Sequence, residues 1–230
     1  MYRHFSKYYD ALLADADAYD LWLDFFNEHK KGHKVLELAS GTGEISLRIA
    51  QNHHLVASDL APEMIEVIKE KDSEQTIIAT KVLDMQAFKL DETFDTIVCF
   101  CDSINYILDI DALKQVFKNV YDHLETGGKF LFDMHTADRL EEFEVPFIEA
   151  GNILDTNYQW TIISEDDFIY HHFAFYEDEV YEESHTQRVY AHEAVITILE
   201  DLGFKTETFT DFDIAGVQPG EKLFIVGEKQ

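Results

Sequence analysis

The chain has 230 residues, of which 46 are acidic and 18 basic, so its formal net charge is −28. This charge repels nucleic acid and anionic membrane surfaces, and no basic cluster beyond Lys30, Lys31 and Lys34 offsets it. A chain of this length buries a full apolar core without disulfides or metals.

The cysteine pattern and the N-terminal residues predict a reduced, cytoplasmic protein. Cys99 and Cys101 lie two apart in an apolar run, a spacing along one strand that disfavours a disulfide between them. Residues 1–10 are aromatic and charged and do not have the pattern of a signal peptide. No run of about 18 apolar residues occurs, so no transmembrane helix is expected.

The first 136 residues predict alternating helices and strands. Helix-spaced apolar residues indicate a helix over residues 1–31, ended by Gly32. Further helices are expected after Gly43, from Pro62 and over 113–124, the last capped by Gly127 and Gly128. Buried strands are predicted between them at 34–38, 54–58, 76–82, 94–100 and 129–133. This alternation predicts an α/β fold with a parallel sheet covered by helices on both faces.

The pattern changes in the last third of the chain. Polar and apolar residues alternate, which predicts three antiparallel strands near 158–164, 168–176 and 180–190. A helix over 192–202 and a closing strand pair at 205–212 and 222–227 follow. With no linker or repeat visible, we expect one domain over residues 1–230. Its parts are an N-terminal helical lid (1–31), a core (33–136), inserted antiparallel strands (141–190) and a C-terminal helix and strand pair (191–230).

One stretch, VLELASGTGE at residues 35–44, organises the rest of the chain. A buried strand leads into a glycine-spaced turn and a helix N-terminus, where backbone N–H groups face outward. Glycine lets the backbone approach a ligand closely. Glu37 places a carboxylate beside this pocket, which disfavours a phosphate and favours an ammonium or a hydroxyl.

Acidic residues follow successive predicted strands. Ligands of open parallel sheets bind at the carboxyl ends of the strands. The side chains expected at that edge are Asp59, Asp84, Asp102 and Asp133, with His135 close behind. Each acid alone also fits a helix cap, but four in succession favour a binding site. Asp59 has the spacing at which a carboxylate bonds a ribose diol.

Two cofactors fit a pocket of this kind. The dinucleotide fingerprint requires a third glycine, which the turn lacks, and Glu44 begins the following helix. The sequence instead resembles the class I S-adenosylmethionine-dependent methyltransferases, in VLELASGTGEIS, SDLAPEMI, LDM, FDTIVCFCDSINYI and LETGGKFLFDMHT. It departs from that pattern at Ala39, where the family has its first glycine. The resemblance implies a Rossmann-like, seven-stranded, mostly parallel sheet with a last antiparallel strand, plus the small inserted sheet.

The resemblance also implies roles for individual residues. The cofactor is S-adenosyl-L-methionine, and its methionyl end lies at Glu37, Cys101 and the turn containing Ala39, Gly41 and Gly43. Asp59 takes the ribose hydroxyls, while the adenine lies against Leu60, Asp84 and Met85. Tyr9, with Tyr19 and Trp22, is similar to the aromatic lid of the small glycine and amino-sugar N-methyltransferases.

Methyl transfer from a sulfonium is an in-line displacement that depends mainly on alignment. A general base is needed only when the nucleophile arrives protonated, and the candidates are Asp102, Asp133 and His135. No metal-ligand spacing is present among the histidines. A nucleotide-dependent (NAD-type) oxidoreductase on a related fold and a non-catalytic S-adenosylmethionine binder are the competing interpretations.

The inserted strands suggest the methyl acceptor. Between Glu141 and Glu183 there are thirteen acidic residues and no Lys or Arg, together with many aromatic residues. A soluble sheet with an aromatic inner face explains most of them. Acidic and aromatic walls above the transferable methyl also favour a small amine, through Coulomb attraction and cation–π contact. We therefore expect a small-molecule acceptor and no nucleic-acid or membrane partner; the oligomeric state stays open.

Overall fold

The computed structural model describes residues 5–13 and 15–230. Its helices are α1 Ser6–Leu13, α2 Ala16–His29, α3 Glu44–Ala50, α4 Pro62–Lys71, α5 Ile110–His123, α6 Asp138–Glu142 and α7 His192–Leu202. Its strands are β1 Lys34–Glu37, β2 His54–Asp59, β3 Ala79–Val82, β4 Phe94–Cys99, β5 Leu124–His135, β6 Phe147–Ile153, β7 Thr156–Glu165, β8 Phe168–Tyr176, β9 Val180–Arg188, β10 Phe204–Thr210, β11 Ile214–Ala215 and β12 Lys222–Lys229.

The larger sheet confirms the predicted parallel architecture. Its strand order is β11-β10-β12-β5-β4-β1-β2-β3, and β3, β2, β1, β4 and β5 run parallel. Strand β12 runs antiparallel to both of its neighbours, β5 and β10. The carboxyl ends of the parallel strands therefore meet at one edge, with β12 beginning beside the end of β5.

Helices cover both faces of this sheet because alternate strand residues point in opposite directions. Leu36 and Ile97 pack with α5 and α7 on one face. Val35 and Val98 pack with α2, α3 and α4 on the other. No helix in the described part of the chain is long and apolar enough to cross a membrane.

The prediction of one helix over residues 1–31 is wrong. Two helices form, and Asp15 caps the start of the second: its side chain accepts hydrogen bonds from the backbone N–H groups of Asp17 and Ala18 at 3.1 Å each. An aspartate at this position competes with continued helix by capping a new one. Residues 1–4 and Ala14 lie outside the described residues.

The strand count and one helix end also differ from the prediction. The larger sheet has eight strands rather than seven, because the two-residue β11 pairs with the edge strand β10. Gly127 and Gly128 do not cap α5, which ends at His123. The chain enters β5 at Leu124, and Gly127 lies within that strand at a φ of 70°.

The inserted sheet has four antiparallel strands, in the order β6-β7-β8-β9, rather than the three predicted. The missed strand is β6, a largely exposed edge strand whose segment contains Gly151 and follows Pro146. Glycine and proline are uncommon inside strands, so a segment that contains or follows them is not recognised as a strand from its sequence pattern. Helix α1 packs on the inner face of this sheet, where the Tyr8 ring stacks on Phe175 at 4.5 Å between centroids.

Candidate functional site

The turn after β1 is built from residues in left-handed backbone conformations. Ala39 has φ 53°, Gly41 52° and Gly43 84°. Nothing lies within 4 Å of the position a Gly41 Cβ would take, so the chain there borders open space. A Cβ on Gly43 would instead lie 2.8 Å from Cγ1 of Ile68, so this glycine lets α4 pack closely. The two glycines thus serve different purposes.

Ala39 stands in a conformation that a residue with a Cβ rarely adopts. Replacing Ala39 with glycine relieves this strain but increases the freedom of the unfolded chain, and each effect is about 1 kcal/mol. We therefore expect Ala39→Gly to leave stability and cofactor affinity close to the parent's, as urea unfolding and calorimetry would show. A large loss in either would mean that the Ala39 methyl group makes an essential contact.

Glu37, at the end of β1, is a buried carboxylate with a single described side-chain partner. Its Oε2 accepts a hydrogen bond from the hydroxyl of Ser46 on α3. Burial raises the pKa of Glu37 to about 8, against the smaller opposing effect of the Ser46 hydrogen bond. Its charged form therefore lacks the cation that would stabilise it.

Asp59, at the end of β2, holds the turn and the start of α4 together. Its Oδ2 accepts from the backbone N–H of Gly41, and its Oδ1 from that of Ala61, both at 2.8 Å. The side chain is buried, and burial raises its pKa. Asp59 is therefore a buried acid that holds two backbone segments together, and its removal affects stability as well as binding.

One cavity of about 450 Å³ extends from these residues to the inserted sheet. On the core side it is lined by Ala39, Gly41, Asp59, Leu60, Asp84, Met85, Cys101, Asp102 and His135. Tyr9 on α1 and Trp22 on α2 also line it. A side recess shares Tyr9, Ala39, Gly41 and Cys101 with this cavity and is bordered by Glu37. Except for Gly43 and Asp133, the predicted site residues line either this cavity or its side recess.

Asp133 lies behind the cavity as part of a buried ion network. Its Oδ1 accepts from the indole N–H of Trp22 at 3.1 Å, and its Oδ2 from the backbone N–H of Asp102 at 2.8 Å. The ammonium group of Lys222 on β12 bonds Asp102 and lies 3.5 Å from Asp133 Oδ2. Burial alone would raise the pKa of Asp102, but Lys222 and His135 hold it well below its usual range.

Residues of the inserted sheet form the far wall of the cavity. Its members are Trp160, Ile162, His171, Phe173, His185 and Gln187. The sequence indicated that the insertion is rich in aromatic residues, but it did not indicate His171, Gln187 or Lys222 as site residues. No motif marks these three, because strand pairing and the packing of two sheets bring them to the cavity. None of the thirteen acidic residues between Glu141 and Glu183 lines it.

Helix α1 closes the cavity on a third side and is hydrogen-bonded to the turn after β1. Asp10 accepts from the Thr42 hydroxyl at 2.5 Å and pairs with Lys71 of α4 at 2.6 Å. Phe5, just before α1, packs on the inserted sheet, with its ring centroid 4.3 Å from that of Phe173. Within the described residues, no group of three or more histidine, cysteine or acidic side chains is placed to hold a metal ion.

Comparison with known proteins agrees with this geometry. Residues 35–128 match the profile of a methyltransferase domain. YqeM of Bacillus subtilis strain 168, which is named as a methyltransferase, is 31% identical over 244 residues, covering 100% of this chain and 97% of its own. The crystal structure of an S-adenosylmethionine-dependent methyltransferase from Clostridium acetobutylicum superposes with a TM-score of 0.84 at 25% identity, covering 99% and 98% of the two chains.

A second similar structure is the sugar N-methyltransferase KedS8 from Streptoalloteichus, with a TM-score of 0.78 at 18% identity, covering 98% of this chain and 92% of that one. At this identity the likeness shows the fold alone. The chain belongs to the class I S-adenosylmethionine-dependent methyltransferases. It is an enzyme, and its cofactor is S-adenosyl-L-methionine.

Proposed function

We propose that this methyltransferase transfers the methyl group of S-adenosylmethionine to the nitrogen of a small amine bound in the cavity. The observation that carries the proposal is the continuity of that cavity. Asp59 and Asp84 line one end, while Trp160 and Phe173 of the inserted sheet line the other. Helix α1 covers the space between them, so the acceptor has to fit inside the fold.

The cofactor is assigned to the core end of the cavity. Asp59 keeps acceptor capacity beyond its two backbone hydrogen bonds, since each carboxylate oxygen has two lone pairs. It is placed to hold the ribose, with Leu60, Asp84 and Met85 beside the adenine. The recess next to Glu37 would take the amino group, whose positive charge is the partner that this buried carboxylate lacks.

The acceptor is assigned to the inserted-sheet end. The thirteen acidic residues of the insertion do not line the cavity, so direct contact with them is not part of the argument. The aromatic faces of Trp160 and Phe173 attract a cation at close range. His171 and Gln187 on the same wall, and His135 on the core side, add polar groups to the lining of the cavity. A phosphate-rich macromolecule such as tRNA fits neither the enclosed space nor the net charge of −28.

The test is a competition screen with methyl-labelled S-adenosylmethionine. Small primary and secondary amines, carboxylates, phenols and tRNA are offered to the full chain at one salt concentration, and methylated products are identified by mass spectrometry. Label on an amine nitrogen supports the proposal. Selective methylation of tRNA or of a carboxylate contradicts it, and cofactor binding without any turnover would favour a non-catalytic binder.

Trp160→Leu is expected to weaken binding of the amine acceptor without changing the affinity for the cofactor. Loss of the indole face removes about 0.5–2 kcal/mol of cation–π and stacking interaction, so KM for the amine rises severalfold. The dissociation constant of S-adenosylmethionine stays at the parental value. Tyr176→Leu is the matched control, because Tyr176 lies in the same sheet, is 46% exposed and does not line the cavity. Equal effects from both variants would contradict the assignment.

A further inference from the structure

The cavity contains a hydrogen-bonded chain whose direction is fixed at both ends. It runs from Trp160 through His171 and Gln187 to Asp102 and His135. Trp160 Nε1 lies 3.3 Å from Nδ1 of His171, and His171 Nε2 lies 3.1 Å from Oε1 of Gln187. Gln187 Nε2 donates to Oδ2 of Asp102 at 2.6 Å. Strands β7, β8 and β9 of the inserted sheet supply the first three groups, the turn after β4 supplies Asp102, and β5 supplies His135.

The polarity of the chain follows from groups that have only one role. An indole N–H only donates, so His171 Nδ1 accepts and its proton is on Nε2. At the other end the carboxylate of Asp102 only accepts, so the Gln187 amide group must face it with the nitrogen. Oε1 of Gln187 therefore faces the histidines and accepts from both. Burial lowers the pKa of His171 to about 4, so this ring is neutral in the chain.

The same logic sets the protonation of His135. Its Nε2 lies 3.1 Å from Gln187 Oε1 and 3.3 Å from Asp102 Oδ2, and both of these oxygens are acceptors. The ring must therefore carry its proton on Nε2. In the neutral ring Nδ1 is then a bare lone pair. This nitrogen is buried and has no hydrogen-bond partner among the described residues.

We propose that Nδ1 of His135 is the proton acceptor of the site, with Gln187 and Asp102 as positioning residues that hold the proton on Nε2. The structure thereby distinguishes the three candidate general bases that the sequence suggested. Asp133 does not line the cavity, and both of its oxygens accept hydrogen bonds. Asp102 has both oxygens bonded, to Lys222 on one side and to Gln187 and His135 on the other. Of the three, His135 alone both lines the acceptor space and has a basic ring nitrogen without a hydrogen-bond partner among the described residues.

The inference rests on the proposed function and completes its proton balance. The cofactor supplies a methyl group on a sulfonium sulfur, which leaves as a neutral thioether when a nucleophile takes the methyl. An amine that arrives as an ammonium ion has no free electron pair to do so. It gives one proton to Nδ1, which leaves a neutral amine and an imidazolium at His135. Asp102 stabilises this imidazolium, and the proton passes to solvent after the product leaves.

The charged and titratable groups around His135 come from several elements. Asp102 and Asp133 oppose the charge of Lys222 on β12, while His171 on β8 and His185 on β9 also line or border the space. A pH–rate profile of the parent protein alone therefore reflects the combined titration of these residues and cannot be assigned to one of them. The test has to compare variants, and it needs one measurement that does not depend on the acceptor.

The first measurement is nitrogen-15 NMR of the imidazole rings in the full chain, with His135→Gln used for assignment. In the neutral form of each ring, both His135 and His171 are expected with the proton on Nε2. A His135 proton on Nδ1 overturns the inference whatever the acceptor is. The result holds independently of the amine screen, so failure here is distinct from failure of the proposed function.

The second measurement is the single-turnover rate with the amine that the screen identifies. His135→Gln should lower this rate by about 10²–10⁴ at neutral pH while cofactor affinity is kept. The deficit should shrink as pH rises and the amine loses its proton unaided, which a merely structural defect would not produce. His172→Gln, on the exposed face of the inserted sheet, is the control and should behave as the parent.

Gln187→Met tests the positioning role because it keeps the side-chain length and removes the hydrogen bonds. We expect about a tenfold loss in kcat. The acidic limb of the pH profile should move, and KM for the amine should stay unchanged. A parental rate in His135→Gln at neutral pH, or a deficit that does not change with pH, would overturn the proposal.

Discussion

Asp59→Ala is expected to weaken S-adenosylmethionine binding by about 2–4 kcal/mol, because a charge-assisted hydrogen-bond acceptor for the ribose is lost. It should also lower the free energy of unfolding by about 2–3 kcal/mol, because the backbone N–H groups of Gly41 and Ala61 lose their acceptor. Calorimetry gives the first quantity and urea unfolding the second.

Asp95→Ala is the matched control for Asp59→Ala. Oδ2 of Asp95 also accepts two backbone N–H groups, from His33 at 2.8 Å and Lys34 at 2.9 Å, but at the opposite end of the strands. Asp95 does not line the cavity. We expect a comparable loss of stability and no loss of cofactor affinity. If Asp59→Ala binds the cofactor as the parent does, or if both variants lose affinity equally, the cofactor assignment is wrong.

Glu37→Gln is expected to change stability and binding in opposite directions. The folded pKa of Glu37 is about 8, above its ordinary value of 4.5. Between these two values the folded chain retains a proton that the unfolded chain has released. The free energy of unfolding of the parent therefore falls as pH rises through this window, by about 1.4 kcal/mol per pH unit at most. Glutamine keeps the acceptor for Ser46 and removes this dependence, so the variant should be the more stable one above pH 8.

Cofactor affinity should have the opposite pH dependence to stability. An amino group next to Glu37 stabilises its ionised form, so below pH 8 binding to the parent releases a proton and affinity rises with pH. Glu37→Gln should bind weakly and release none, as calorimetry in two buffers of different ionisation enthalpy would show. Glu66→Gln, an exposed position on α4, is the control. Proton release that persists in Glu37→Gln would place the amino group elsewhere.

The core of this site was predictable because its chemistry is local in sequence. A strand, a turn and a helix start lie within VLELASGTGE, and parallel strands necessarily bring Asp59, Asp84 and Asp102 to one edge. The long-range part was not predictable. Lys222 reaches Asp102 only because β12 runs antiparallel beside β5, and nothing in the residues near Lys222 indicates that pairing.

The inserted sheet illustrates the same limit. Alternation predicted strands β7, β8 and β9, but not which of their faces meets the cavity. The aromatic composition of the insertion agrees with Trp160 and Phe173 lining the cavity, whereas the acidic residues that supported the amine argument do not line it. Gln187 carries no sequence signal, since its importance comes from three partners on other elements. The division of residues 1–230 into lid, core and insertion stays a prediction.

A crystal structure with S-adenosylhomocysteine tests the account most directly, because it shows where the transferred methyl would lie. The account predicts the ribose at Asp59, the adenine at Leu60, Asp84 and Met85, and the amino group at Glu37. The space beyond the sulfur should then be faced by Trp160, Phe173, His171 and His135. A ligand lying elsewhere, or a sulfur facing away from the inserted sheet, would contradict it.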